Sequence, residues 1–192
     1  MCSEGRSVAL CSNSKTAFVT AAALCLVFGA LSVSAETYLS QEQAVKIALP
    51  TASTVTTNVK ELTSAQRDSF QHSSGLRFPE AQYNFFIGHA QDGKITGYAV
   101  IMNEIGKEEP ITFIVGVSPE GKVGEVAVME YRESRGSEVH EKRFTQQFKG
   151  KKNTDSIQVN RDIINYTGAT LSSHAMARGV KKALLLVHIF FL

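Results

Sequence analysis

The sequence predicts an α+β fold: a twisted, mostly antiparallel sheet with two N-terminal helices, a middle helix and a long C-terminal helix. Three observations predict it. Two capping-box patterns, Ser40-Gln41-Glu42-Gln43 and Thr63-Ser64-Ala65-Gln66, each precede a short amphipathic run. Apolar runs joined by short turns fill the stretch from Tyr83 to Tyr131. An apolar-striped run then extends from about Leu171 towards Phe190. With 192 residues, 43% of them hydrophobic, the chain has enough apolar side chains for a real core and reads as one domain behind a targeting segment.

That segment comes first. Met1 to Lys15 is polar and carries Arg6 and Lys15, whereas Thr16 to Ala35 has no charge and closes on Val33-Ser34-Ala35. The order basic, apolar, small reads as a secretory signal peptide over residues 1–35, cut before Glu36. An uncleaved N-terminal membrane anchor is the rival, because an uncharged run of this length is marginally able to span a bilayer. Either reading puts the rest of the chain outside the cytoplasm, periplasmic or membrane-associated and facing outward. Cys2, Cys11 and Cys25 all fall in the leader, and Leu10 and Leu24 precede the last two where a lipidation site needs a small residue. The chain after Glu36 therefore has no disulfide, thiolate metal site, iron–sulfur cluster or cysteine nucleophile. Redox chemistry there would need an organic cofactor.

Residues 36–82 read as a helical N-terminal extension. The first helix runs from Ser40 to about Leu49 and stops at Pro50. The second runs from Thr63 to about His72, before Gly75, and Thr51 to Asn58 between them is a loop or loose strand. Residues 83–192 form the main domain. Tyr83 to Ala90 and Lys94 to Asn103 flank an Asp92-Gly93 hairpin turn. Ile111 to Val117 and Val123 to Tyr131 follow across the turns 105–110 and 119–122, which gives an antiparallel meander. Apolar groups on both faces of the second strand predict a sheet covered on both sides. After a charged loop around Gly136, a helix carries Phe144, Gln147 and Phe148. Ser156 to Val159 is a short β-rich run.

Several function classes are set aside. The net charge is +2 and no basic stripe is interleaved with aromatics, so nucleic acid is not a partner. No Gly-x-Gly-x-x-Gly follows a strand, so a dinucleotide fold lacks support. His89 has no partners at metal-ligand spacing and reads as structural. Ser173 and His174 are adjacent, but consecutive helical residues do not face each other, so they make no catalytic dyad. No catalytic residue and no metal ligand is assigned.

The informative stretch is Asn165-Tyr166-Thr167-Gly168-Ala169-Thr170-Leu171-Ser172-Ser173. Thr170 falls where a turn becomes a helix, beside the free amides of the first turn, and those amides and the helix dipole favour a phosphate. Gly168 permits a positive φ or a close backbone approach, and Ala169 adds almost no bulk. Read locally, Thr170 is a helix cap.

Thr167-Gly168-Ala169-Thr170 resembles the [Ser/Thr]-Gly-Ala-Thr signature of the FMN-binding domain family, which supplies the flavin-carrying subunits of Rnf-type and sodium-pumping NADH:quinone oxidoreductase complexes and related extracytoplasmic flavoproteins. The resemblance covers roughly residues 86–186. It implies that FMN is the cofactor, attached by a phosphoester to Thr170, with a flavin transferase using FAD to make the bond. Thr167, Gly168, Ala169, Leu171, Ser172 and Ser173 are the implied neighbours. The Glu130 to Val139 loop and the Gln147-Phe148-Lys149-Gly150-Lys151 run also resemble family features. By that likeness Glu133, Gly136 and Glu138 approach the flavin from the opposite side. Ile164 stands six positions before Thr170, where the family usually has an acid. The resemblance implies an electron carrier or oxidoreductase subunit with a membrane or periplasmic electron-transfer partner. The alternative is a non-covalent flavin or phosphate-ligand module with no redox role of its own. A third reading is a secreted structural domain whose Gly-Ala-Thr turn is only a cap.

Overall fold

The computed structural model describes residues 36–192, so the expected leader lies outside the described residues. In chain order the elements are β1 (Glu36–Thr37), α1 (Gln41–Ala48), β2 (Thr54–Glu61), α2 (Ser64–Ser74), β3 (Gln82–His89), β4 (Ile95–Ile105), β5 (Pro110–Val117), β6 (Val123–Tyr131), α3 (Lys142–Thr145) and α4 (Thr170–Phe191). The strands form one antiparallel sheet in the order β1-β6-β5-β4-β3-β2. The expected α+β architecture is the observed one.

Alternation along the strands divides the core between two faces. Phe85, Tyr98, Val100, Met102, Phe113 and Val115 join Ala175, Met176, Val180, Ala183, Leu184 and Val187 of α4 in one cluster. Phe86, Ala99, Ile114 and Met129 join Ala44, Val45, Ala48 and Leu49 around α1 in the other. The sheet is thus covered on both sides, as the mixed faces of β4 predict. Both N-terminal capping boxes form, Ser40 with Gln43 and Thr63 with Gln66, and α2 stops at Gly75 in the left-handed conformation.

α4 lies close against the sheet. A Cβ on Gly179 would sit 2.3 Å from Phe113 Cζ and 2.8 Å from Glu104 Cγ, so only glycine fits this crossing. One turn on, Lys182 is not on the polar side of the helix, where its charge alone would place it. Its Nζ lies 2.5 Å from Glu104 Oε1, both side chains being 7% exposed or less. Arg178 Nε lies 3.6 Å from the other Glu104 oxygen. The apolar C-terminal end packs down: the Phe191 ring lies 5.0 Å from that of Phe85 and 4.8 Å from that of Tyr98. Among the described residues no helix is long and apolar enough to cross a membrane.

Two local expectations need correction, and a third resolves to one of its two alternatives. Thr51 to Asn58, read as a loop or loose strand, turns into strand at Thr54: β2 pairs with β3 without a break, from Thr54 opposite His89 to Glu61 opposite Gln82. It is an edge strand exposed along most of its length, so it lacks the apolar alternation that marks a strand in sequence. The middle helix is three short pieces, Ser137–His140, α3 and Gln146–Phe148, the first parted from the second by Glu141 with its extended ψ of 140°. Ser156 to Val159 is no strand. Ile157 has a φ of 47°, in the left-handed region that a β-branched residue rarely enters. The Asp162 carboxylate holds the loop there, accepting from Ser156 Oγ (3.1 Å), Ile157 N (3.0 Å), Gln158 N (2.6 Å) and Lys151 Nζ (3.2 Å). Burial pushes the Asp162 carboxyl up, but these donors outweigh it and hold it below the usual carboxylate range.

Candidate functional site

Two polar segments meet beside the N-terminus of α4: the loop after β6 and the turn before the helix. Tyr131, the last residue of β6, joins them. Its phenol donates to Arg135 O at 2.6 Å. Because that proton is committed to a carbonyl, the buried Ser172 Oγ donates to the phenol oxygen at 2.8 Å. Burial keeps the Tyr131 phenol protonated by raising its pKa, with the Ser172 bond acting the other way. Gly136 fills the remaining space. With φ 91°, it sits where an added Cβ would lie 2.7 Å from Ser172 Oγ, 2.9 Å from Tyr131 Oη and 3.2 Å from Ala169 Cα. The loop therefore rests directly on the first turn of α4.

Glu133 ties the same loop to the turn between β4 and β5. Its Oε1 accepts the backbone N–H groups of Lys107, Glu108 (2.7 Å) and Glu109 (3.1 Å). Burial raises the Glu133 pKa, but the three amides outweigh it and hold the carboxyl below its ordinary range. Gly106 makes this approach possible, since a Cβ there would lie 2.8 Å from Glu133 Oε1.

Between these segments lies a cleft of about 520 Å³, lined by Lys107, Glu133, Ser134, Arg135, Gly168, Thr170, Leu171 and Ser172. That volume suits a small-molecule ligand. Thr170 is the first residue of α4 and is exposed. Its hydroxyl accepts from Asn165 Nδ2 at 2.9 Å. It does not cap the helix: the cap position is Ala169, with no side-chain cap at all. The amides of Thr170, Leu171 and Ser172 precede the first intrahelical bond, from Ser173 N to Ala169 O at 2.8 Å. The same chain builds complete capping boxes on α1 and α2. Leaving α4 with an alanine cap forgoes about 0.5–2 kcal/mol of helix stability and leaves donors open at the cleft wall. The residues present fit a phosphate-bearing ligand: uncapped amides at the positive end of a 22-residue helix, a hydroxyl among them and two basic residues in the same lining.

Of the residues singled out in the sequence, Thr170, Gly168, Leu171, Ser172 and Glu133 line the cleft together. Ala169 and Gly136 lie against each other behind it. Gly168 is there for its conformation: φ is 90° and a Cβ would meet nothing within 4 Å. Thr167 is exposed but does not line the cleft. Ser173 is fully buried with its Oγ unpaired, and Glu138 stands back from the cleft with one buried oxygen unpaired. His89 is a structural residue, its ring bonding Thr56 Oγ1 at 3.0 Å.

Other contributors were not legible as such. Lys107 sits in a charged turn 63 positions before Thr170, and only the Glu133 clamp places it at the cleft. Tyr131 reads as the end of a strand, and Arg135 as one charge in a charged loop. Gln147, already conspicuous in its run, holds the backbone of Ile164 at both ends: Ile164 N donates to Gln147 Oε1 at 2.7 Å, and Gln147 Nε2 donates to Ile164 O at 3.3 Å. The Ile164 side chain points outward and is 73% exposed. A larger cleft of about 800 Å³ lies further along α4, between His174, Arg178 and Lys181 and the 154–161 loop. It contains none of the signature residues.

Residues 106–185, which span both walls of the smaller cleft, match the family model of the FMN-binding domain. Over that span the chain is similar to the FMN-binding domain. FMN is accordingly its cofactor. A curated relative, one of the subunits of the proton-translocating ferredoxin:NAD(+) oxidoreductase complex of Clostridium ljungdahlii, is 35% identical over 103 residues. That alignment takes in 49% of this chain and 55% of the relative, so the chain spans about half the length of the curated relative it matches. The crystal structure of Shewanella oneidensis NqrC aligns over 77% of this chain and 84% of its own length, with a TM-score of 0.50 and 15% identity. At that identity the likeness is one of fold. The matched span of the FMN-binding domain takes in β5, β6, the loop bearing Glu133 and Arg135, and most of α4.

Proposed function

We propose that the protein is an extracytoplasmic electron-transfer flavoprotein in which FMN is joined by a phosphoester to the Thr170 hydroxyl. The observation that carries this reading is that hydroxyl: exposed, at the first position of a long uncapped helix, on the wall of a cleft. Attachment would form a bond between Thr170 Oγ1 and the flavin phosphorus, with FAD as donor, AMP as leaving group and a flavin transferase as catalyst. The amides of Thr170, Leu171 and Ser172 would offset the phosphate charge. Asn165 would orient the hydroxyl. The Tyr131–Ser172 bond would hold the helix start against the loop. Bound FMN supplies one- and two-electron exchange at its ring, and the protein fixes the ring and tunes its potential.

The partial likeness to one subunit of a proton-translocating ferredoxin:NAD(+) oxidoreductase complex supports a role as a subunit or carrier, exchanging electrons with a membrane or periplasmic partner, more than as a stand-alone enzyme. The leader-like residues 1–35, cleaved or retained as an anchor, support an outward-facing location. The division into residues 36–82 as an extension and 83–192 as the FMN-binding domain goes with this reading.

A second reading, a non-covalent flavin module without its own redox role, has one specific observation behind it. The usual acid six residues before Thr170 is Ile164, and nearby Asp162 is committed to four donors within its own loop. Because Ile164 faces solvent outside the cleft, this departure bears on recognition by a transferase more than on holding flavin. In-gel fluorescence after denaturation separates the two. Protein coexpressed with the transferase is expected to give a fluorescent band that Thr170→Val abolishes. A flavin released from the wild type by acid precipitation favours the second reading.

A further inference from the structure

We propose that Lys107 and Arg135 select phosphorylated flavin over unphosphorylated flavin in the cleft, before any bond to Thr170 forms. This rests on the flavin reading of the cleft and adds to it a specificity that no signature residue supplies. The two side chains reach the cleft from different elements, Lys107 from the turn between β4 and β5 and Arg135 from the loop after β6.

Neither arrives by accident of surface composition. The Glu133 carboxylate holds the amides of Lys107, Glu108 and Glu109, which fixes the base of Lys107. The Tyr131 phenol holds the carbonyl of Arg135 and Ser172 Oγ together, which fixes Arg135 relative to the first turn of α4. One loop of a few residues thus brackets two cations and the helix start into a single arrangement.

The charge balance of the lining points to an anion. Two cations face one carboxylate, and one oxygen of that carboxylate is already shared by three backbone amides. The Glu108 carboxylate raises the Lys107 pKa above its ordinary value, while the Arg135 charge acts weakly the other way, so the two cations lie within repelling range. An anion between them would relieve that repulsion. The remaining ion pair of Lys107, with Glu108 at 2.7 Å, joins side chains 67% and 70% exposed. Such a pair is worth little in water and is easily exchanged for a better acceptor. The phosphate of FMN offers charge-assisted acceptors that riboflavin lacks, and the residues bearing the free amides of α4 line the same cleft.

The test uses the full chain made without a flavin transferase, with Thr170→Val as a second form unable to be modified. Each is titrated with FMN and with riboflavin, following flavin fluorescence, at low and high salt. The expected result is FMN binding about tenfold or more tighter than riboflavin at low salt, the gap narrowing as salt screens the cations. The double variant Lys107→Ala/Arg135→Ala is expected to close the gap by weakening FMN alone, and Lys107→Arg/Arg135→Lys to restore it. Riboflavin affinity serves as the internal control for folding, since loss of the fold would remove both ligands. Equal affinities in the parent chain, or a gap that survives the double alanine variant, overturn the selectivity. Failure to bind either flavin overturns the flavin reading together with it.

Discussion

Gly136→Ala probes whether the loop after β6 really bears on the start of α4. Two costs add at this position. The first is conformational: a φ of 91° lies in the left-handed region, where a side chain costs about 1–2 kcal/mol. The second is steric. The new Cβ would lie 2.7 Å from Ser172 Oγ, 2.9 Å from Tyr131 Oη and 3.2 Å from Ala169 Cα, and these atoms are fixed by their own bonds and by the backbone. Overpacking of this kind costs about 1–3 kcal/mol. Gly168→Ala isolates the first cost, because its φ is 90° and its Cβ would meet nothing within 4 Å. At about 2–4 °C per kcal/mol for a domain of this size, Gly168→Ala should lower the melting temperature by about 2–8 °C. Gly136→Ala should lower it by about 4–20 °C. Differential scanning calorimetry of the two variants side by side reads the difference. Equal shifts would refute the reasoning, since the loop could then give way without disturbing the helix start.

Glu133→Gln should destabilise the fold at neutral pH, and the gap to wild type should narrow as pH falls. A carboxyl held below its ordinary range contributes stability above its unfolded pKa, roughly 4.3, and loses it as pH drops through the lower folded value. Urea midpoints measured from pH 6 down to 3 check this, and a gap independent of pH would contradict it. Lys182→Met should cost about 3–5 kcal/mol by leaving Glu104 buried without its nearest partner, whereas Glu104→Met/Lys182→Met should recover much of that loss. Chemical denaturation of both variants decides, and a double variant as unstable as the single one would count against the pair being the cause.

Elements specified by local pattern were legible in the sequence, and arrangements made by distant contacts were not. The capping boxes before α1 and α2 and the meander turns each need only a few neighbouring residues to declare themselves. β2 was obscured because an exposed edge strand lacks apolar alternation. The burial of Lys182 has no local signal, because a charge reads as solvent-facing until Glu104, 78 residues away, is brought under it. Ser156 to Val159 has strand-like composition, but Asp162 binds its backbone and side chains into a loop. At the site, Thr170 was found by a signature and a helix start. The uncapped state of that start, and the delivery of Lys107 and Arg135 by Glu133 and Tyr131, depend on contacts across 24 to 41 residues and appear only in the fold.

The most direct test of the account is peptide mass mapping of protein matured in its native host. The peptide containing Thr170 should carry the mass of one FMN less one water, localised to that residue by fragmentation. An unmodified Thr170 in fully matured, flavin-active protein would contradict covalent attachment at this hydroxyl.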